Sequence, residues 1–233
     1  TATTEIYTLS LHDALPIYIG GDNRVEARQE VCTLNGDPYL FLEDAFADCE
    51  SGDTIKLLSD ILYENDIALI DKNLSLDLDG HTLNVGRTAS NPALLVDGGT
   101  LTLDDEDGGA FSIVRGQSGV KVQNGGTVTV TSIFPISEGA ITGIGLQGET
   151  GGSATVKGDI TNVNGVPISL MGGATAHVIG SVSARHGIVV QQTGSLATID
   201  GNINATADTG AYVTNGGAIV VNGNVTAATR GVI

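Results

Sequence analysis

At 233 residues, 41% of them apolar, the chain is long enough for one elongated domain with a substantial core. Its 27 acids against 10 Lys and Arg give a formal charge of −17, which lacks the basic footprint of nucleic-acid binding and disfavours anionic membrane surfaces. No apolar run approaches the length needed to cross a bilayer.

The chain begins at Thr1 to Ile17 with TATTEIYTLSLHDALPI. This string resembles, codon for codon in one frame, the translation of a universal short-read sequencing adapter. The resemblance implies that residues 1–17 are an adapter-derived artefact to be left out of fold reasoning. Glu5, His12 and Asp13 then carry no role, and any signal peptide is lost. Residues 18–53 read as an N-terminal strand and a capping helix, and 54–233 as the main body.

Tyr18 to Gln29 is polar and weakly patterned, a linker or damaged start, and Glu30 to Leu34 predicts a short strand. Asp37-Pro38 resembles a helix start, a capping acid with Pro in the first turn. Leu42, Ala45, Phe46 and Cys49 then fall on one apolar stripe, with Glu43, Asp44 and Asp48 opposite, and Ser51-Gly52 ends the helix. Such a helix suits the end of a stack of strands, where bare edges invite aggregation. Cys32 and Cys49 flank it; in a secreted chain they could form a disulfide, and otherwise they are two buried thiols.

Strands follow at Asp53–Leu58, Ile67–Ile70, Asn73–Leu83, Ala93–Val96 and Thr100–Leu103, the last two joined by Asp97-Gly98-Gly99. From Gly119 a pattern returns at nearly even intervals, led by Gly119, Gly143, Gly165, Gly187, Gly210 and Gly231. The last copy stops early, so a fragment at both ends is expected. Each repeat has alternating small apolar residues and Asn/Gly breaks such as Asn124-Gly125 and Asn215-Gly216, and no helical pattern intervenes. A period of roughly 22 residues predicts stacked units that bury a continuous core. The expected fold is all-β, a right-handed single-stranded parallel β-helix (a β-solenoid) with a short N-terminal capping helix.

The runs YLFLEDAFADCESGDTIKLLSD, KNLSLDLDGHTL and GGTLTLDDEDGG, within Leu34 to about Gly109, resemble the start of β-helix regions in bacterial cell-surface proteins. The resemblance implies the pectate-lyase-like superfamily fold and a secreted or surface location. It carries no defined activity.

Candidate chemistry is sparse. Asp77 and Asp79 are expected on the outward face of one strand, about 6.6 Å apart along it, near the separation of an inverting glycosidase pair but also that of any Asp-x-Asp on a strand. Asp104, Asp105 and Asp107, in the densest acidic run, form a candidate calcium loop whose alternative is a solvated turn. His81, His177 and His186 lie on different coils with no zinc pattern. Polygalacturonase and pectate-lyase motifs are missing, Arg87, Arg115, Arg185 and Arg230 stand apart, and no phosphate loop or serine-hydrolase elbow occurs. Trp is absent and aromatics are few, which counts against tight glycan binding. The expected function is a non-enzymatic, extracellular or cell-surface display scaffold, adhesin-like, that contacts glycans or a host or matrix surface. No cofactor is expected, with calcium the one candidate. The alternative is a fragment of a polysaccharide lyase or glycoside hydrolase acting on acidic polysaccharide.

Overall fold

The computed structural model describes residues 29–233 apart from 87–90, 105–106, 115–117, 135–142 and 163, and the backbone of Ile17–Ile19 and Val25–Ala27. The adapter-like stretch up to Pro16 lies outside the described residues. Ile17–Ile19 and Val25–Ala27 pair antiparallel, where the sequence suggests a linker.

Short apolar strands punctuated by Gly and Asn cannot bury a face alone, and here they stack into a parallel β-solenoid of about seven turns. Each turn contributes one strand to each of three sheets. The first turn comprises Asp53–Leu57, Ile61–Tyr63 and Ile67–Ile70. The next adds Asn73–Asp77, Thr82–Val85 and Pro92–Asp97, each parallel to its predecessor. The sheets contain ten, eight and seven strands.

Register shows that the period is not fixed. Leu74 pairs with Leu101, Val128 with Ala154 and Ala154 with Ala176, so the early coils are longer than the later ones. Two of the glycine equivalences shift with it: Val120 faces Leu146 rather than Ile144, and Ser169 faces Val189 rather than Gln191. One inward ladder runs Leu74, Leu101, Val128, Ala154, Ala176, Ala197 and Ile219, with its smallest side chains in the shorter coils. At Gly148 the fit is close: a Cβ would sit 2.7 Å from Leu170 Cδ2 and 2.9 Å from Ala174 Cβ.

The first end of the stack is covered, but by more than a helix. Asp37-Pro38 does not start it. Cys32–Leu34 and Asp37–Tyr39 form an antiparallel hairpin around Asn35 (φ 51°) and Gly36 (φ 95°), the left-handed pair that a two-residue hairpin loop requires. Cys32–Leu34 also pairs antiparallel with Asp53–Leu57, so that Asp37–Tyr39 is the end strand of the ten-stranded sheet. The helix is Leu42–Asp48, with extended Phe41 at its N-cap and no side-chain cap. Leu42, Ala45 and Cys49 are buried from the predicted stripe, and Phe46 is half-buried with its ring 5.9 Å from that of Tyr63. Among the described residues no helix is long and apolar enough to cross a membrane.

Candidate functional site

Stacking brings sequence-distant acids to the corner between the ten- and eight-stranded sheets. Lys56, Asp77 and Asp104 occupy successive positions of one outward ladder. Asp79 is not on the strand with Asp77. The strand ends at Asp77, and Asp79-Gly80 forms a turn with both residues left-handed, in which the Asp79 amide donates to Asp77 Oδ1 at 3.0 Å. Lys56 Nζ closes the pair, 2.9 Å from Asp79 Oδ1 and 3.5 Å from Asp77 Oδ2. The Asp79 hydrogen bond chiefly raises the Lys56 pKa. A glycosidase pair flanks open space for a sugar and water, whereas here a lysine fills the space between the carboxylates. Asp107 lies one coil above, its carbonyl oxygen 3.5 Å from where a Cβ on Gly80 would stand. Asp105 lies outside the described residues. Among those described, no three His, Cys, Asp or Glu side chains converge as a metal ion requires.

Each of the three singled-out histidines meets an aspartate one coil away. His81 Nδ1 is 3.6 Å from Asp60 Oδ1, and the same oxygen accepts from the Thr82 amide at 2.7 Å. His177 Nε2 is 2.8 Å from Asp200 Oδ2, while Asn222, a further coil on, donates to Asp200 Oδ1 at 2.8 Å. Hydrogen bonds from His177 and then Asn222 hold the Asp200 carboxyl below the usual carboxylate range. His186 Nδ1 is 3.2 Å from Asp208 Oδ2, and Asp208 is held low first by the Thr209 amide and then by His186. In the sequence, only a separation of one coil length signals these pairs.

The same bracing recurs elsewhere. Asp97 accepts from Asn124 at 2.6 Å and Gln123 at 2.8 Å, which in that order lower its pKa. Lys121 reaches Glu149 at 3.1 Å. At the cap, Asn35 donates to Asp53 at 2.7 Å and accepts from the Thr54 amide at 3.0 Å.

His186 also lines an open cleft of about 500 Å³ with Val166, Ile188, Val189, Thr209 and Tyr212 among its walls. A smaller hollow of about 300 Å³ lies between the helix and the first coil, lined by Phe46, Tyr63, Asp66 and Lys72. Lys72 Nζ there donates to the Cys49 carbonyl at 2.7 Å. Asp66 Oδ1 is buried without a hydrogen-bond partner. Cys32 and Cys49 are buried free thiols, with burial pushing Cys32 up to about 11 and raising Cys49.

No family model, curated protein or solved structure matches the chain. The fold and these contacts define a parallel β-solenoid in which the described His–Asp, Lys–acid and Asn–Asp contacts join one coil to the next.

Proposed function

We propose that the chain is a non-enzymatic β-solenoid module of a secreted or cell-surface protein, a rigid scaffold that displays its faces to glycans or to a host or matrix surface. The observation that carries this reading is the engagement of the one candidate carboxylate pair: Asp77 and Asp79 both hold Lys56. A pair closed by a lysine leaves no room between its carboxylates for a sugar and water. The resemblance of Leu34 to about Gly109 to surface β-helix regions supports the location. Calcium belongs to the same proposal, bound by Asp104, Asp105 and Asp107, of which Asp104 follows Asp77 in the outward ladder. On that reading a chelator lowers the melting temperature, and Asp104→Asn with Asp107→Asn removes the effect.

The His186 cleft favours one second reading, a fragment of a polysaccharide lyase or glycoside hydrolase, because it combines a His–Asp pair with an aromatic wall. Incubation with a panel of acidic polysaccharides separates the two. The scaffold reading expects neither unsaturated uronate absorbance nor new reducing ends. Turnover abolished by His186→Ala would establish the enzyme.

A further inference from the structure

We infer that the hollow between the helix and the first coil binds a primary amine in its ammonium form, with the buried Asp66 Oδ1 as its acceptor. Three elements enclose this hollow. The helix Leu42–Asp48 supplies Glu43 and Phe46, the corner after Ile61–Leu62 supplies Tyr63 and Asp66, and the turn before Asn73 supplies Lys72. Leu69, an inward residue of the first coil, also lines it. None of these groups takes part in the Lys56 bridge or the His–Asp pairs.

Two independent observations point to a cationic ligand. Asp66 Oδ1 is buried without a hydrogen-bond partner, while Oδ2 accepts from Asn91 Nδ2 at 3.4 Å. A buried carboxylate oxygen left without a donor is costly, and a donor carried in by a ligand offsets that cost. Charge points the same way. Glu43 and Asp66 face Lys72 alone, so the lining has one net negative formal charge. Lys72 Nζ is engaged at the C-terminal end of the helix, 2.7 Å from the Cys49 carbonyl oxygen. Both acids act on the Tyr63 phenol. Burial chiefly raises its pKa and the Glu43 charge comes next, with a hydrogen bond to Asn65 opposing and Asp66 adding least.

The lining selects the kind of cation. Among the described residues no three acidic, His or Cys side chains converge, too few for a metal ion that takes several oxygen ligands. Phe46 and Tyr63, with ring centres 5.9 Å apart and planes tilted by 48°, offer aromatic surface to an alkyl stem and its charge. A single free oxygen on Asp66 suits the point-like ammonium, whereas the fork of a guanidinium calls for two parallel acceptors. The volume of about 300 Å³ lies at the lower end for small-molecule sites and admits a short chain, either a free amine or the side chain of a partner's lysine.

The test is titration of the uniformly labelled chain with n-butylammonium at neutral pH and low salt, followed by amide chemical shifts. Saturable shifts should appear at Phe46, Tyr63, Asp66 and Lys72, and n-butanol, the same stem without the charge, should give none. Asp66→Asn keeps the shape and removes the charge, and should weaken binding about tenfold or more. Asp44→Asn, an exposed acid of the same helix outside the hollow, should leave it unchanged. A circular-dichroism melt verifies that each chain is folded. A blocked peptide with one lysine separates the two sources. Affinity matching that of n-butylammonium assigns a partner's side chain, and loss of binding assigns a free amine; both uphold the site. Absence of saturable shifts with n-butylammonium, an equal response to n-butanol, tighter binding of methylguanidinium, or an Asp66→Asn chain that binds like wild type overturns the inference. The hollow lies at the covered end of the stack, so its failure leaves the display reading and its polysaccharide test untouched.

Discussion

Replacing Phe111 with Ala probes the stacked core at its largest fully buried side chain. Phe111 lies on Ala110–Ile113, directly above Leu83. The strand of its sheet on the next coil is only Ser132–Ile133, so Phe111 packs under a turn, where the Thr131 hydroxyl accepts from its amide at 2.9 Å. An aromatic side chain of this kind removes about 150–250 Å² from water, an upper limit near 4–6 kcal/mol at roughly 25 cal/mol per Å². Measured Phe→Ala losses run about 3–5 kcal/mol because neighbours relax only partly. Here Leu83 and Ile113 are fixed by their ladders, so the cavity should remain and the cost should approach about 4 kcal/mol on that scale. For a chain of this length that corresponds to a fall in Tm of roughly 8–16 °C. The assay is thermal and urea unfolding followed by circular dichroism. Phe134→Ala, at 37% exposure, serves as the control and should cost under about 1 kcal/mol. A Phe111→Ala chain melting within about 2 °C of wild type would refute the assigned packing.

Three further outcomes follow from the same contacts. Asp53, Asp97, Asp200 and Asp208 all have carboxyls held below the ordinary value of 3.8 by hydrogen bonds. Their stabilisation is present above that value and is lost as pH falls through the lower folded-state values, so denaturant midpoints should hold at neutral pH and drop in acid. Asp97→Asn should flatten part of that drop; an unchanged acid limb would count against the assignment. The free thiols Cys32 and Cys49 should resist Ellman's reagent in the native chain and titrate as two after denaturation without reductant, whereas a disulfide would give none. Ala176→Leu should destabilise by about 1–3 kcal/mol through overpacking, because Ala176 is buried between Ala154 and Ala197 in its inward ladder.

Alternation of small apolar residues with Gly-rich breaks is enough to read the stacked-strand architecture, and the Leu42–Cys49 stripe is enough to read the helix. At the cap two local signals compete: Asn35-Gly36 suits a hairpin loop, while Asp37-Pro38 suits a helix start. The helix signal loses because antiparallel pairing to Cys32–Leu34 fixes Pro38 in a strand. Exact register is not legible. Coils of unequal length absorb their differences in loops, so glycine spacing alone aligns Gly119 with Gly143, whereas Val120 in fact pairs with Leu146. Since cross-coil partners depend on register, the His–Asp pairs and the Lys56 bridge can be read only once the coils are stacked.

All of these assignments rest on one register, so its direct determination is the decisive measurement. Backbone NMR on uniformly labelled chain should give cross-strand contacts linking Ala154 to Ala176, His177 to Thr198 and Ala197 to Ile219, with parallel patterns throughout. Contacts displaced by two positions would separate the histidines from their aspartates. Antiparallel patterns between these strands would contradict the solenoid itself.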